Sequence, residues 1–138
     1  MNNLRKTLAT VLLSVTATVS FAGGVEGPLT VDGATTVDVS EATKLFENEV
    51  PFIDVRKDKD WEAGRVPEAY HLDVKKSLTE ESLSEVVKKD ETVVFYCNGI
   101  KCLRSAVATE KAVSWGYTDV KYFRSGFPAW KKAGNPVE

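Results

Sequence analysis

One stretch of this sequence is equipped for chemistry: Cys97-Asn98-Gly99-Ile100-Lys101-Cys102-Leu103-Arg104-Ser105. It follows the apolar run Thr92-Val93-Val94-Phe95-Tyr96, which reads as a buried strand. It precedes Ala106 to Val113, which reads as a helix. A cysteine at a strand end, on a loop that opens a helix, meets free amide N–H groups and the positive end of the helix dipole. Such surroundings stabilise a thiolate, and the thiolate is the reactive form of cysteine. Lowering a thiol pKa from ~8.5 to ~6.5 takes about 2.7 kcal/mol in favour of the anion. A helix N-terminus supplies ~0.3–1 kcal/mol, and up to ~2 when partly buried. The remainder falls to loop amides and to Lys101 or Arg104.

Cys97 therefore reads as the nucleophile. Cys102 reads either as its chemical partner or as a spectator on the loop rim. As a partner it would attack a persulfide on Cys97, release sulfide and leave a Cys97–Cys102 disulfide, or guard Cys97 against over-oxidation by reversible disulfide formation. Asn98, Gly99, Ile100, Lys101 and Leu103 form the loop between nucleophile and arginine, and Asn98 to Ile100 act through their backbone amides. Lys101 is either a steering charge or plain solvated surface. Arg104 reads as an anion binder, or else as a tie to loop carbonyls or to Asp54. Ser105 reads as the helix N-cap. Asp54 and Arg56 read as a structural pair, and Arg124 stands close before a Ser-Gly turn. His71 is the single histidine, so neither a metal site nor a Cys–His dyad has support. Trp61, Trp115 and Trp130 read as packing residues.

The surrounding elements alternate. A short strand is expected at Thr35 to Val37, then a helix capped by Ser40. Phe52 to Val55 reads as a central strand and Asp58 to Ala63 as a short helix stopped by Gly64. Tyr70 to Leu72 reads as a strand, and Thr79 caps a helix through Leu83, Val86 and Val87 that ends near Asp90. After the cysteine loop come a helix over Ser105 to Trp115, a strand over Val120 to Phe123 and a short helix holding Trp130. Alternating strands and helices predict a three-layer α/β fold with a parallel sheet. Ligands in such sheets bind at the carboxyl ends of strands, where Cys97 lies.

Residues 1–22 read as a cleavable signal peptide. Arg5 and Lys6 form the charged region, Thr7 to Val19 the apolar one, and Ser20-Phe21-Ala22 the cleavage site. Residues 23–34 read as a loose lead-in and residues 35–138 as the domain. An exported, periplasmic protein with no membrane span after cleavage is expected. Without residues 1–22 the formal net charge moves from −2 to −4. That disfavours nucleic acid and anionic membranes as partners. Both cysteines share one loop and cannot staple distant elements, so in an oxidising compartment they read as chemical.

Four stretches, in order, resemble the rhodanese domain family. They are Phe52-Ile53-Asp54-Val55-Arg56, then Trp61 to Ala69, then Val93 to Cys97 with Arg104-Ser105, and finally Ser125 to Trp130 with Gly134-Asn135-Pro136-Val137. The resemblance covers roughly Val37 to Glu138. It implies a five-stranded parallel sheet flanked by helices. It also implies a sulfurtransferase in which Cys97 takes a sulfane sulfur from thiosulfate, polysulfide or a persulfide and passes it to a thiol or cyanide. A small sulfur-containing anion and a thiol acceptor are then the partners, and no cofactor is expected. The loop has six residues between Cys97 and Arg104, longer than is usual in this family or in its phosphatase relatives. Cys102 is a second departure, and it keeps a thiol–disulfide redox or sensing module open as an alternative. A non-catalytic periplasmic carrier is the other alternative, with a phosphatase or arsenate reductase as a minor one.

Overall fold

A computed structural model describes residues 25–138. The segment read as a signal peptide lies outside the described residues. The elements run β1 (Ala34–Thr36), α1 (Val39–Glu47), β2 (Phe52–Asp54), α2 (Asp58–Ala63), β3 (Tyr70–His71), α3 (Glu80–Ser84), β4 (Thr92–Tyr96), α4 (Arg104–Ser114), β5 (Asp119–Phe123) and α5 (Gly126–Lys132). All five strands pair in parallel, in the order β1-β5-β4-β2-β3. The three-layer α/β fold with a five-stranded parallel sheet is thus the observed one. Among the described residues no helix is long and apolar enough to cross a membrane.

β4 is the middle strand, and a parallel sheet needs both faces covered. Its side chains alternate between two cores. Val93, Phe95 and Cys97 face a cluster holding Leu83 of α3 and Ala108 and Ala112 of α4. Val94 and Tyr96 face a cluster holding Ala42 of α1 and Phe127 and Trp130 of α5. Trp130 is fully buried, its ring edge-on to Phe46 and Phe52, and its indole N–H donates to the Pro136 carbonyl at 2.7 Å. Burying one such large side chain contributes on the order of 2–3 kcal/mol.

The structure shifts some expected boundaries. α1 is capped by Asp38, not Ser40. Asp38 Oδ1 accepts from the Glu41 amide at 2.8 Å, and Glu41 Oε2 accepts from the Asp38 amide at 2.8 Å. This reciprocal capping box satisfies two helix-end donors and outcompetes a lone serine. α3 stops at Ser84, short of the expected end near Asp90, and beyond it the Val86 amide bonds the Leu83 carbonyl in a tighter three-residue turn.

Candidate active site

Cys97 is the first residue beyond β4. By strand alternation its side chain follows Val93 and Phe95 toward the face covered by α4. It is 1% exposed. Its carbonyl accepts from the Phe127 amide at 2.9 Å. Gly126 precedes that amide with φ 60°, and a Cβ there would collide with the Cys97 carbonyl. Only glycine permits both the left-handed backbone and this approach. The start of α5 is thereby clamped onto the end of β4.

The loop turns back at Gly99, whose carbonyl accepts from the Cys102 amide at 3.0 Å. This brings the two cysteines together as a disulfide, Cα to Cα 6.4 Å, and no free cysteine remains among the described residues. The amides of Asn98, Gly99, Ile100 and Lys101 donate to no protein carbonyl among the described residues. Neither is the start of α4 capped by a side chain. Its N-cap is Leu103, in the right-handed helical region, and helix begins at Arg104. Ser105, expected as the cap, lies inside the helix instead, with its hydroxyl buried and unpartnered. The reason is that a capping serine needs extended backbone, whereas the turn ending at Cys102 delivers the chain already in helical phase. Amides without a protein acceptor, in a loop or at a helix start, are the kind of donor that can stabilise an anion.

A buried ion pair supports the loop from beneath. Asp54 and Arg56 are 0% and 2% exposed, with Nη2 to Oδ2 at 2.6 Å and Nε to Oδ1 at 2.9 Å. The structural pair expected between them is present. Burial pulls the Arg56 guanidinium down, but the hydrogen bonds and charge of Asp54 outweigh it and leave its pKa raised. Tyr96 donates to Asp54 Oδ2 at 2.7 Å and accepts from the Val66 amide, and burial together with Asp54 raises its pKa. Arg56 also donates to the Gly64 carbonyl at 2.7 Å and to Asn98 Oδ1 at 3.2 Å. Asn98 Nδ2 in turn donates to Asp60 at 2.9 Å. Asn98 was expected to act through its amide alone; its side chain also ties the loop to the buried pair. Its partner Asp60 carried no signal in the sequence. His71 is satisfied on the Arg56 carbonyl at 2.8 Å and stacks on Trp61.

Arg104 is anchored to the underlying structure through one nitrogen. Its Nη1 donates to Asp73 Oδ1 at 2.8 Å and to the Val55 carbonyl at 3.3 Å. Its partner is Asp73, not Asp54. Burial raises the pKa of Asp73, but the Lys75 amide and Arg104 together lower it overall. Folded Asp73 therefore stays charged to lower pH than unfolded Asp73. Its charge adds stability above the unfolded range near pH ~4, and the gain disappears as pH falls through the lowered folded value. Unfolding free energy, followed by urea denaturation, is expected to drop on acidification through that range. Asp73→Asn should flatten this part of the profile, and an unchanged slope would show that the pair carries no such linkage.

The remaining loop side chains face outward. Ile100 and Leu103 are 39% and 45% exposed, and Lys101 is exposed. The chain before β1, read as a loose lead-in, is instead hydrogen-bonded to the site. The Gly27 amide donates to the Ile100 carbonyl at 2.6 Å, and Arg124 donates to the Gly27 carbonyl at 2.9 Å. Tyr122 donates to the Pro28 carbonyl at 3.0 Å. These contacts join residues more than seventy positions apart, so local pattern could not reveal them. They also give Arg124 a structural partner outside the loop.

Comparison with known proteins places these features in context. The family described as "Rhodanese-like domain" matches residues 38–133. The HTH-type transcriptional regulator Rv0324 of Mycobacterium tuberculosis is 31% identical over 90 residues, covering 65% of this chain and 38% of the regulator. The chain thus spans well under half the length of that relative. The mitochondrial protein HIGH ARSENIC CONTENT 1 of Arabidopsis thaliana is 29% identical over 116 residues, covering 78% of this chain and 68% of the plant protein. Among solved structures, the human single-domain sulfurtransferase TSTD1 superposes with a TM-score of 0.60 at 23% identity, covering 70% of this chain and 95% of the human one. That likeness is one of fold.

Proposed function

Because this chain belongs to the rhodanese-like domain family, we propose that its cysteine loop is a sulfur-transfer site and the protein a sulfurtransferase. The Cys97 thiolate, once its disulfide is open, attacks the outer sulfur of a sulfane donor such as thiosulfate, a polysulfide or a persulfide. With thiosulfate, a bond forms between Cys97 Sγ and that sulfur. The donor's own sulfur–sulfur bond breaks, and its electron pair leaves on sulfite. A thiolate or cyanide then attacks the outer sulfur of the enzyme persulfide, and Cys97 departs as a thiolate. Each step is a displacement at sulfur, by a sulfur or carbon nucleophile, and the exchange requires no cofactor.

One observation carries this reading. Cys97 is buried at the end of the central strand, beside amides of residues 98–101 that donate to no protein carbonyl among the described residues. Thiolate and persulfide are both anions, and fixed N–H dipoles in a dry site stabilise both. The Cys97–Cys102 disulfide supports a second reading, a thiol–disulfide redox or sensing module. In that module the pair cycles between disulfide and dithiol and carries no sulfur.

Sulfite release separates the two. Protein reduced and then freed of reductant is expected to release sulfite from thiosulfate in proportion to protein, and to form thiocyanate when cyanide is present. Re-formation of the disulfide with no sulfite released would leave the redox module standing. We further propose export by the leader over residues 1–22 and a periplasmic location, where disulfides persist. The intact mass of protein recovered from a periplasmic extract reads this directly, through loss or retention of the leader.

A further inference from the structure

The disulfide is asymmetric. Cys97 belongs to the core and is 1% exposed, whereas Cys102 is only partly buried and sits among the exposed residues Lys101 and Leu103. Thiol–disulfide exchange depends on which sulfur an incoming thiolate can reach and on how well the other sulfur leaves. Both conditions select one direction. Cys102 is the less buried of the two, so attack there has the shorter way in from solvent. The electron pair then passes to Cys97, where the loop amides are free to hold a thiolate.

The backbone keeps the pair within reach after opening. The Cys102 amide is fixed to Gly99, and the Ile100 carbonyl is held by the Gly27 amide. With 6.4 Å between the two Cα atoms, Cys102 stays poised to return to Cys97. Charge favours an anionic visitor. An apolar cleft beside the loop includes Lys101 and Lys132, and a second, beside Leu103 and Val107, includes Lys75 and Lys111. None of these four lysines forms an ion pair among the described residues. Cations at the approach raise the local share of thiolate over thiol.

We propose that this loop is a sulfane-sulfur reductase site driven by a dithiol, with Cys102 as both the sulfur that the dithiol attacks and the sulfur that discharges Cys97. The second half rests on the sulfur-transfer reading above. One thiolate of the dithiol bonds to Cys102 Sγ, and the Cys97–Cys102 bond breaks with its electrons on Cys97. The second thiol loses its proton and attacks the first sulfur of the dithiol. Cys102 leaves as a thiolate, and the dithiol departs as a disulfide. Cys97 then takes a sulfane sulfur from the donor. Cys102 attacks Cys97 Sγ, hydrosulfide leaves, and the loop disulfide re-forms. Each turn reduces one sulfane sulfur to sulfide and oxidises one dithiol.

Lys101 lies between the cysteines, so trypsin delivers them on separate peptides, 90–101 and 102–104. Oxidised protein is pulsed with glutathione, quenched in acid and alkylated with N-ethylmaleimide. Glutathione is expected on 102–104 and maleimide on 90–101. The reverse labelling, or a disulfide that dithiothreitol opens only after unfolding in guanidinium, overturns the direction of attack. In a second arm, reduced protein meets thiosulfate with no other thiol or cyanide present. Wild type is expected to release sulfide and return to the disulfide, while Cys102→Ser keeps the extra sulfur on 90–101. If wild type holds its persulfide as long as Cys102→Ser, the reductase step is overturned and sulfur transfer stands. If neither form releases sulfite, the sulfur-transfer reading itself falls.

Discussion

Cys97→Ser is expected to abolish sulfite release from thiosulfate, a loss of about three orders of magnitude or more, the scale seen when a covalent nucleophile is removed. A serine hydroxyl at neutral pH holds almost no anion, and an oxygen cannot accept the sulfur in a sulfur–sulfur bond. The substitution also removes the loop disulfide, worth about 2 kcal/mol for so short a loop on the chain-entropy account. It places a hydroxyl in a core position that is 1% exposed as well. Cys102→Ser loses the same disulfide but keeps the nucleophile. Sulfite release by Cys102→Ser but not by Cys97→Ser, with matching far-ultraviolet circular dichroism, isolates the chemistry from the fold. Sulfite release by Cys97→Ser at the wild-type rate would end the assignment.

The largest loss of stability is expected from Arg56→Ala. It strips the partner from Asp54, a carboxylate that is 0% exposed. It also leaves the Gly64 carbonyl and Asn98 Oδ1 without their donor. Breaking a buried pair on one side costs about 3–5 kcal/mol, because an uncompensated charge stays behind. In a domain of this size that corresponds to a fall in melting temperature on the order of 10–20 °C. Adding Asp54→Asn should return part of the loss, since it removes the stranded charge while leaving Tyr96 an amide oxygen to meet. Urea denaturation of the single and double variants checks both statements. A double variant less stable than Arg56→Ala would mean that the charge itself is not the source of the cost. The loop should also loosen in Arg56→Ala, because Asn98 links it to the pair.

Much of the frame was legible in local pattern. The β-branched and aromatic run before Cys97 fits only a buried strand, and strand alternation carries Cys97 to the α4 face. Gly64 stopped α2 where expected, and Thr79 capped α3. The errors arose where two local solutions competed. Asp38 and Ser40 can both cap α1, and the Glu41 partner decided between them. Ser105 is a good cap by type, but the turn closed at Cys102 had already placed the cap two residues earlier, at Leu103.

The sequence by itself determined the alternating elements, the strand end that presents Cys97, and the presence of a second cysteine five residues on. These follow from side-chain periodicity and short-range spacing, which act within a few residues. Tertiary structure alone decided the partners. Arg104 reaches Asp73 across 31 positions, Arg56 reaches Asn98 across 42, and Arg124 reaches Gly27 across 97. It also decided that Cys97 is sealed in the core while Cys102 is only partly buried. Such choices depend on which surfaces the crossovers of a parallel sheet bring together. Charges and donors far apart in the chain then satisfy one another, because leaving them unpaired in a packed interior costs more than any local preference can offset.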